Sequence, residues 1–172
     1  ARLRLEECAR RMAVSRSRLQ ARLDVAIAAA PNPFAARCLR AERAALLARQ
    51  GQLEAARAAA EVVRRYYRSN LAVTIKADKS PVTEADVETE KTIRGIIAAR
   101  FPDHGFYGEE TGSSALGAEY LWLVDPIDGT KAFVREYPMF STQIALMHRG
   151  RLVVGVSSAP EYGELAYGEA GV

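Results

Sequence analysis

Cysteine, histidine and long apolar runs are all scarce in this chain of 172 residues. The two cysteines, Cys8 and Cys38, are not spaced like metal ligands, and two thiols cannot build the disulfide framework of a small secreted domain. No run approaches the roughly 18 apolar residues of a membrane span, and the first residues lack the apolar core of a signal peptide. We therefore expect a cytoplasmic globular protein that does not associate with membranes and whose thiols pack as small apolar groups.

The two histidines are also weak candidates for catalysis. His104 lies in a Pro-Asp-His-Gly turn, and His148 directly precedes another turn. The sequence around them shows no catalytic partner for either, so we interpret both as surface histidines or as hydrogen-bonded structural ones.

Lysine is missing from residues 1–70, which carry fifteen arginines and six acidic residues and hence a net charge of +9. The remaining residues carry nine basic and fifteen acidic side chains, a net charge of −6. The first part is rich in Ala and Arg and has a helical pattern, whereas the second alternates helix with strand. We expect a basic helical segment over residues 1–51 and a differently built region over residues 52–172.

The basic segment has the spacing of a helix-turn-helix. Apolar residues at a helical period over residues 5–12 are followed by Ser15, a good N-cap for a second helix that carries three arginines. Residues 5–23 resemble the first helix-turn-helix of AraC-type regulators, and residues 37–47 resemble its linking helix. The resemblance implies a helix whose Arg16, Arg18 and Arg22 could contact DNA phosphates.

Two other interpretations of this segment stay open. An Arg-rich amphipathic helix also fits a solvated face of a small helical bundle. Gly51, Leu53 and Ala56 fit the turn of a tetratricopeptide-like hairpin, which would indicate partner binding.

The second region contains a motif suited to metal and phosphate, Asp125-Pro-Ile-Asp-Gly-Thr130. The apolar run 121–124 predicts a buried strand that Pro126 ends, so both aspartates should lie where a strand opens into a loop. Two carboxylates three positions apart can bind one or two hard cations such as Mg²⁺. Glycine after them lets the backbone approach an anion closely.

Periodicity and turn signals predict the elements around this motif. A helix over 53–67 should be followed by a strand over 73–76 and a helix that begins at Thr83 or Glu84. A brief strand at 106–107 precedes Gly108-Glu109-Glu110. A short helix over 131–134 and two antiparallel strands, 142–147 and 152–156, should complete the region.

Three motifs together resemble the inositol monophosphatase superfamily of Mg²⁺-dependent, lithium-sensitive phosphatases. They are Pro81-Val-Thr-Glu-Ala-Asp86, Gly108-Glu-Glu110 and Asp125-Pro-Ile-Asp-Gly-Thr130, in the family's order and approximate spacing. Single Asp-Pro and Asp-Gly dipeptides are common in turns, but three linked motifs are far more specific. The resemblance implies the first half of a layered α/β/α/β/α sugar-phosphatase fold, an α/β class, preceded here by an all-α segment.

The resemblance also implies metal ligands. Glu109, Asp125 and the backbone carbonyl of Ile127 would hold a first Mg²⁺ that activates a water molecule. Asp125 and Asp128 would contribute to a second ion that stabilises the leaving oxygen.

Further roles follow from the same resemblance. Asp86 would pair with the hydroxyl of Thr130, which orients or deprotonates the attacking water, and would contact a third ion through water. The amides of Gly129 and Thr130 would bind the phosphate. Lys76 corresponds to a basic residue near the family's metal site, although its spacing to Asp86 differs by one and an ordinary solvated lysine fits equally well.

Within the superfamily, residues 78–86, 101–110 and 128–133 are most similar to the histidinol-phosphatase branch, with inositol monophosphate as the competing substrate. The family's second half, including an aspartate in a Trp-Asp motif that completes the second metal site, has no counterpart before Val172. We therefore expect a small phosphorylated metabolite as substrate and a missing C-terminal half or a homo-oligomer as partner. Activity of these residues alone stays open. The alternative function is a DNA-binding regulator or interaction protein with a non-catalytic phosphatase-like module.

Overall fold

Helices occupy the first part of the chain. The computed structural model describes residues 20–69, 71–77 and 81–170, with the side chains of 37–45 left out. Residues 20–28 are helical (α1), and α2 spans Pro33–Tyr66. Asn32 caps α2, because its Oδ1 accepts a hydrogen bond from the Ala35 amide at 2.9 Å, and Pro33 fits the first turn, where no amide donor is needed.

The helix α2 runs without a break through residues 51–54. The tetratricopeptide-like turn predicted at Gly51 is therefore wrong. Gly51 serves packing instead, since a Cβ at this position would lie 2.6 Å from the ring of Phe101. The predicted helix-turn-helix of residues 5–23 lies largely outside the described residues. No helix within the described ranges combines the length and apolarity that a membrane span needs.

The chain divides into two compact units, residues 1–47 and 48–172. The second unit contains a two-stranded antiparallel ribbon made of β1 (Val73–Ile75) and β2 (Pro81–Thr83). Thr83 then acts as the N-cap of α3, which spans Glu84–Arg100, as the sequence predicts. The acidic residues in the first turn of α3 suit the positive end of its dipole.

A six-stranded mixed sheet forms the centre of the second unit. Its strands are β3 (Gly105–Gly108), β4 (Ser113–Ser114), β5 (Tyr120–Asp128), β6 (Ser141–His148), β7 (Arg151–Ala159) and β8 (Glu164–Glu169), and a short helix α4 (Thr130–Val134) follows β5. The spatial order is β4-β3-β5-β6-β7-β8, and only the β3–β5 pair is parallel. The predicted turn between β6 and β7 falls at Arg149 and Gly150, which both have positive φ.

One face of this sheet packs against α2 and α3. Alternate strand residues point to that face, so Trp122, Ile144 and Val154 join helix residues such as Ala56 and Ile93 in the larger of two apolar clusters among the described residues. On the opposite face, a hollow of about 700 Å³ is lined largely by small and apolar residues of β5 to β8. The core therefore lies on one side of the sheet, and the strand ends near Asp125 border the hollow.

Candidate metal centre

Strand β5 places Asp125 and Asp128 at the edge of the core. The prediction that Pro126 ends the strand is wrong, because β5 continues to Asp128. Its ladder to β3 ends at Val124, and the register with β6 shifts between Asp125 and Asp128. The missing amide donor of Pro126 thus falls at an irregularity, where it removes no ladder bond. The Thr142 hydroxyl further fixes this segment by donating to the Pro126 carbonyl at 2.8 Å.

Gly129 turns the chain from β5 into α4. It has a φ of 98°, a conformation that L side chains rarely adopt. A Cβ at Gly129 would also lie 2.8 Å from the Met139 carbonyl oxygen. The turn therefore needs glycine for both its backbone angle and its close contact, and it presents Thr130 as the first residue of α4.

Asp86 connects this turn to α3. The Asp86 side chain is almost fully buried, and its Oδ2 accepts hydrogen bonds from the Thr83 amide at 2.8 Å and the Thr83 hydroxyl at 2.6 Å. The Thr130 hydroxyl lies 3.3 Å from Asp86 Oδ1 and 3.0 Å from the Ile127 carbonyl, so two acceptors compete for its single proton. Burial raises the pKa of Asp86, although the hydrogen bonds from Thr83 and Thr130 oppose that effect.

Negative charge accumulates around Asp125. The Glu109 amide donates to the Val124 carbonyl at 3.2 Å, which holds the turn after β3 beside β5. Burial, followed by the Glu109 carboxylate and then Asp128, raises the pKa of Asp125 to about 7. Asp125 Oδ1 is buried without a hydrogen-bond partner among the described residues. An anionic oxygen in this setting is stabilised by a cation.

Lys76 lies beside these carboxylates and is not an ordinary solvated lysine. Its Nζ is 2.6 Å from Glu110 Oε1 and 3.4 Å from Glu109 Oε1. Burial by itself would lower the pKa of Lys76, but the two glutamates outweigh it and raise the pKa. Glu110 is the more buried of the two, and burial raises its pKa despite the ammonium.

The donor set fits a hard divalent cation. All the candidate ligands are oxygens, and Asp125 Oδ1 has no hydrogen-bond partner in the part of the chain that the structure describes. Within the described ranges, however, no group of three His, Cys, Asp or Glu side chains is gathered closely enough to hold a metal. The side chains of Glu109 and Asp125 contact each other. Asp128 instead lies beside Gln143, with 3.5 Å between Asp128 Oδ2 and Gln143 Nε2. The ligand assignment taken from the sequence therefore stays a prediction.

The structure gives His104 a structural role. Its Nδ1 accepts a hydrogen bond from Trp122 Nε1 at 3.0 Å, and its ring stacks between Phe101 and Tyr120. Burial lowers the pKa of His104. His148 stacks on the other face of Tyr120 and contacts Glu119 at 2.8 Å. Both histidines lie in an aromatic stack rather than among the carboxylates near Asp125.

Sequence reasoning missed Glu90. This residue is fully buried on α3 and contacts the turn that carries Glu109 and Glu110. The signal that could have found it is an acidic residue on the core face of an amphipathic helix. Glu90 lies four positions after Asp86 and three before Ile93, which are both buried.

The fold and site together define an α/β protein in which Glu109 and Asp125 lie side by side where the ladder between β3 and β5 ends. A family model described as the inositol monophosphatase family matches residues 48–172. The chain therefore belongs to the inositol monophosphatase family, and both the family and the fold class that the sequence indicated are confirmed.

Individual relatives agree with this membership. The histidinol-phosphatase of Chlorobaculum parvum is 42% identical over 120 residues, which cover 69% of this chain and 46% of that protein. The chloroplastic bifunctional phosphatase IMPL2 of Arabidopsis thaliana is 42% identical over 105 residues, which are 60% of this chain and 30% of that protein. Among solved structures, the extragenic suppressor protein suhB of Bartonella henselae matches with a TM-score of 0.69 at 32% identity, over 72% of this chain and 49% of that one. The chain thus spans less than half the length of these relatives.

Proposed function

We propose that the protein containing this chain is a Mg²⁺-dependent phosphomonoesterase that hydrolyses a small phosphate monoester, with histidinol phosphate as the substrate. Inositol monophosphate is the competing substrate. Supporting observations are the family membership and the identity to proteins named histidinol-phosphatase from three organisms. The observation that carries the proposal is the buried Oδ1 of Asp125, which has no hydrogen-bond partner among the described residues and lies beside Glu109 and Asp128.

In this proposal Glu109, Asp125, Asp128 and the Ile127 carbonyl hold two Mg²⁺ ions, and Asp86 contacts a third through water. When bound, the ions supply an activated water and charge stabilisation for the leaving oxygen. A cluster of carboxylates is suited to this role because its mutual repulsion is relieved by cations.

The chain's own residues orient the reaction. The Thr130 hydroxyl donates a hydrogen bond to Asp86 Oδ1 at 3.3 Å, so its oxygen can at the same time accept a hydrogen bond from the attacking water. The Gly129 and Thr130 amides bind the phosphate, in a turn that Gly129 allows to approach an anion closely. The Lys76 ammonium partly neutralises the charge of Glu109 and Glu110 when no Mg²⁺ is bound.

The test measures phosphate release from histidinol phosphate and from inositol monophosphate with Mg²⁺ present. The assay uses the protein encoded by the whole reading frame to which these residues belong. Asp125→Asn and Thr130→Val should each lower kcat by at least about a hundredfold, since each removes a group that acts on the reacting atoms. The matched control Glu161→Gln changes an exposed carboxylate outside the site and should leave kcat unchanged. No release from either substrate by the folded protein would refute the proposal.

Two further proposals concern the rest of the protein. We infer that the hollow on the open sheet face is covered by the missing C-terminal half or by a second copy, because Leu123, Ala145 and Gly155 line it on adjacent strands.

We also infer that residues 1–51 form a separate basic segment, with residues 52–172 as the phosphatase-like region. If the alternative DNA-binding function holds, salt-sensitive DNA binding should survive deletion of residues 71–172.

A further inference from the structure

The buried carboxylate of Glu90 holds the turn that follows β3. Its Oε2 accepts the Glu110 amide at 2.7 Å, and its Oε1 accepts the Thr111 amide at 2.7 Å. The Thr111 hydroxyl also donates to Oε1. Because the side chain is completely buried, these donors satisfy carboxylate oxygens that water does not reach.

The fit between Glu90 and the turn leaves no spare room. A Cβ at Gly108 would overlap the Glu90 carboxylate and would lie only 2.8 Å from even the farther oxygen, Oε2. Arg94, one helical turn after Glu90, donates to the Gly112 carbonyl at 2.5 Å. Two side chains of α3 therefore fix the turn from Glu110 to Gly112.

Helix α3 also fixes the second loop of the site. Asp86 lies one turn before Glu90 on the same buried face, and it accepts the hydroxyl of Thr130. Asp86 thus contacts the turn after β5, while Glu90 contacts the turn after β3. The spacing between the turn that carries Glu109 and the turn that follows Asp125 and Asp128 at the end of β5 is therefore set by two carboxylates on one rigid helix.

We propose that Glu90 is a positioning residue for Glu109, which it orients towards Asp125 by hydrogen bonding the two amides that follow Glu109. The metal-binding part of this inference rests on the proposed function, since Glu109 is a ligand only there. The hydrogen-bonding part stands on the structure of the turn alone. Outer hydrogen-bond partners of this kind typically change metal affinity by 10- to 100-fold when they are replaced.

Replacement of Glu90 by glutamine isolates the hydrogen bonds from the size of the side chain. The carboxylate uses both oxygens as acceptors, one for each amide. Glutamine has one oxygen and one NH₂ group, so in either orientation a donor faces a backbone donor. Glu88→Gln is the matched control, because Glu88 lies on the same helix but bonds to Arg65 and Tyr66, away from the turn.

The experiment uses the protein encoded by the whole reading frame, as in the phosphatase assay, and two readouts. Amide hydrogen exchange at Glu110 and Thr111 is measured in the metal-free protein, and the Mg²⁺ dissociation constant is measured by titration calorimetry. In Glu90→Gln we expect exchange at both amides to be at least about tenfold faster and Mg²⁺ binding about 10- to 100-fold weaker. Glu88→Gln should change neither.

A second variant keeps the proposal testable if Glu90→Gln does not fold. Thr111→Val removes only the hydroxyl donor to Glu90, and its control is Thr92→Val, whose hydroxyl bonds to the Glu88 carbonyl within the helix. If Glu90→Gln does not fold, Thr111→Val decides the proposal. Faster amide exchange together with weaker Mg²⁺ binding in this variant supports the proposal, whereas an unchanged exchange rate and an unchanged Mg²⁺ dissociation constant overturn it.

The outcomes separate the two proposals. Glu90→Gln protein that is destabilised but binds Mg²⁺ as tightly as the wild type would overturn the positioning role, because the effect would then be structural only. Wild-type protein that binds no Mg²⁺ would count against the proposed function. In that case the amide exchange of Glu110 still decides whether Glu90 holds the turn.

Discussion

Replacement of Asp125 by asparagine should stabilise the metal-free protein while it abolishes stabilisation by Mg²⁺. Burial and the neighbouring carboxylates of Glu109 and Asp128 raise the pKa of Asp125 from 3.8 to about 7. A tenfold change in proton affinity is about 1.4 kcal/mol, so the shift corresponds to roughly 4 kcal/mol of destabilisation once Asp125 is ionised. Because the carboxylate is only about half buried, solvent screening reduces this to about 1–3 kcal/mol.

The sign of the pH dependence follows from the raised pKa of Asp125. The folded state binds the proton more tightly than the unfolded state, so stability falls as the pH rises from about 4 to about 7. Asparagine cannot ionise, and its advantage over the wild type should therefore be complete near pH 8 and less than half as large near pH 5.

Urea unfolding in a chelator, at both pH values, measures this difference. Glu161→Gln removes an exposed carboxylate and should change the free energy of unfolding by less than about 0.5 kcal/mol. With saturating Mg²⁺ the order should reverse, since only the wild type gains the free energy of metal binding. Either no advantage of Asp125→Asn near pH 8 or an equal advantage at both pH values would refute the reasoning.

Two further substitutions test the turn and the aromatic stack. Gly129→Ala should lower the free energy of unfolding by about 1–3 kcal/mol, because φ is 98° and its Cβ would lie 2.8 Å from the Met139 oxygen. Gly117→Ala, whose Cβ meets nothing within 4 Å, is the control in the same urea titration, and equal losses would contradict this explanation. His104→Phe should lessen the loss of stability below about pH 6.5, because burial lowers the pKa of His104 and Trp122 donates to its neutral ring. An unchanged acid slope in thermal unfolding would exclude that role.

Local patterns account for much of the fold. The helical period and Thr83 predicted the start of α3, and two apolar runs predicted β6 and β7 with the turn at Arg149 and Gly150. These features depend on neighbours within a few positions along the chain. The same reasoning failed at Pro126, because the sequence does not show that both ladders of β5 are interrupted beside it.

Long-range packing accounts for what sequence reasoning could not reach at the site. Lys76 approaches Glu110 across 34 positions, and Glu90 binds the Thr111 amide across 21. From the sequence alone, a lysine before a loop could be solvated or could pair with a buried acid. The same holds for a glutamate inside a helix, because its contacts with other segments are not visible. The difference between a solvated side chain and a buried partner arises only when the segments pack.

By itself, the sequence determined the chemistry available to this protein: three acidic motifs in a fixed order, the family they indicate and the elements that carry them. Tertiary structure decided which carboxylate is left with a buried, unpaired oxygen, namely Asp125, and which one holds a turn, namely Glu90. The physical reason is that residue type sets what a group can donate, accept or ligate. Burial and contact with segments distant in the chain set which of those interactions it makes and at what cost in free energy.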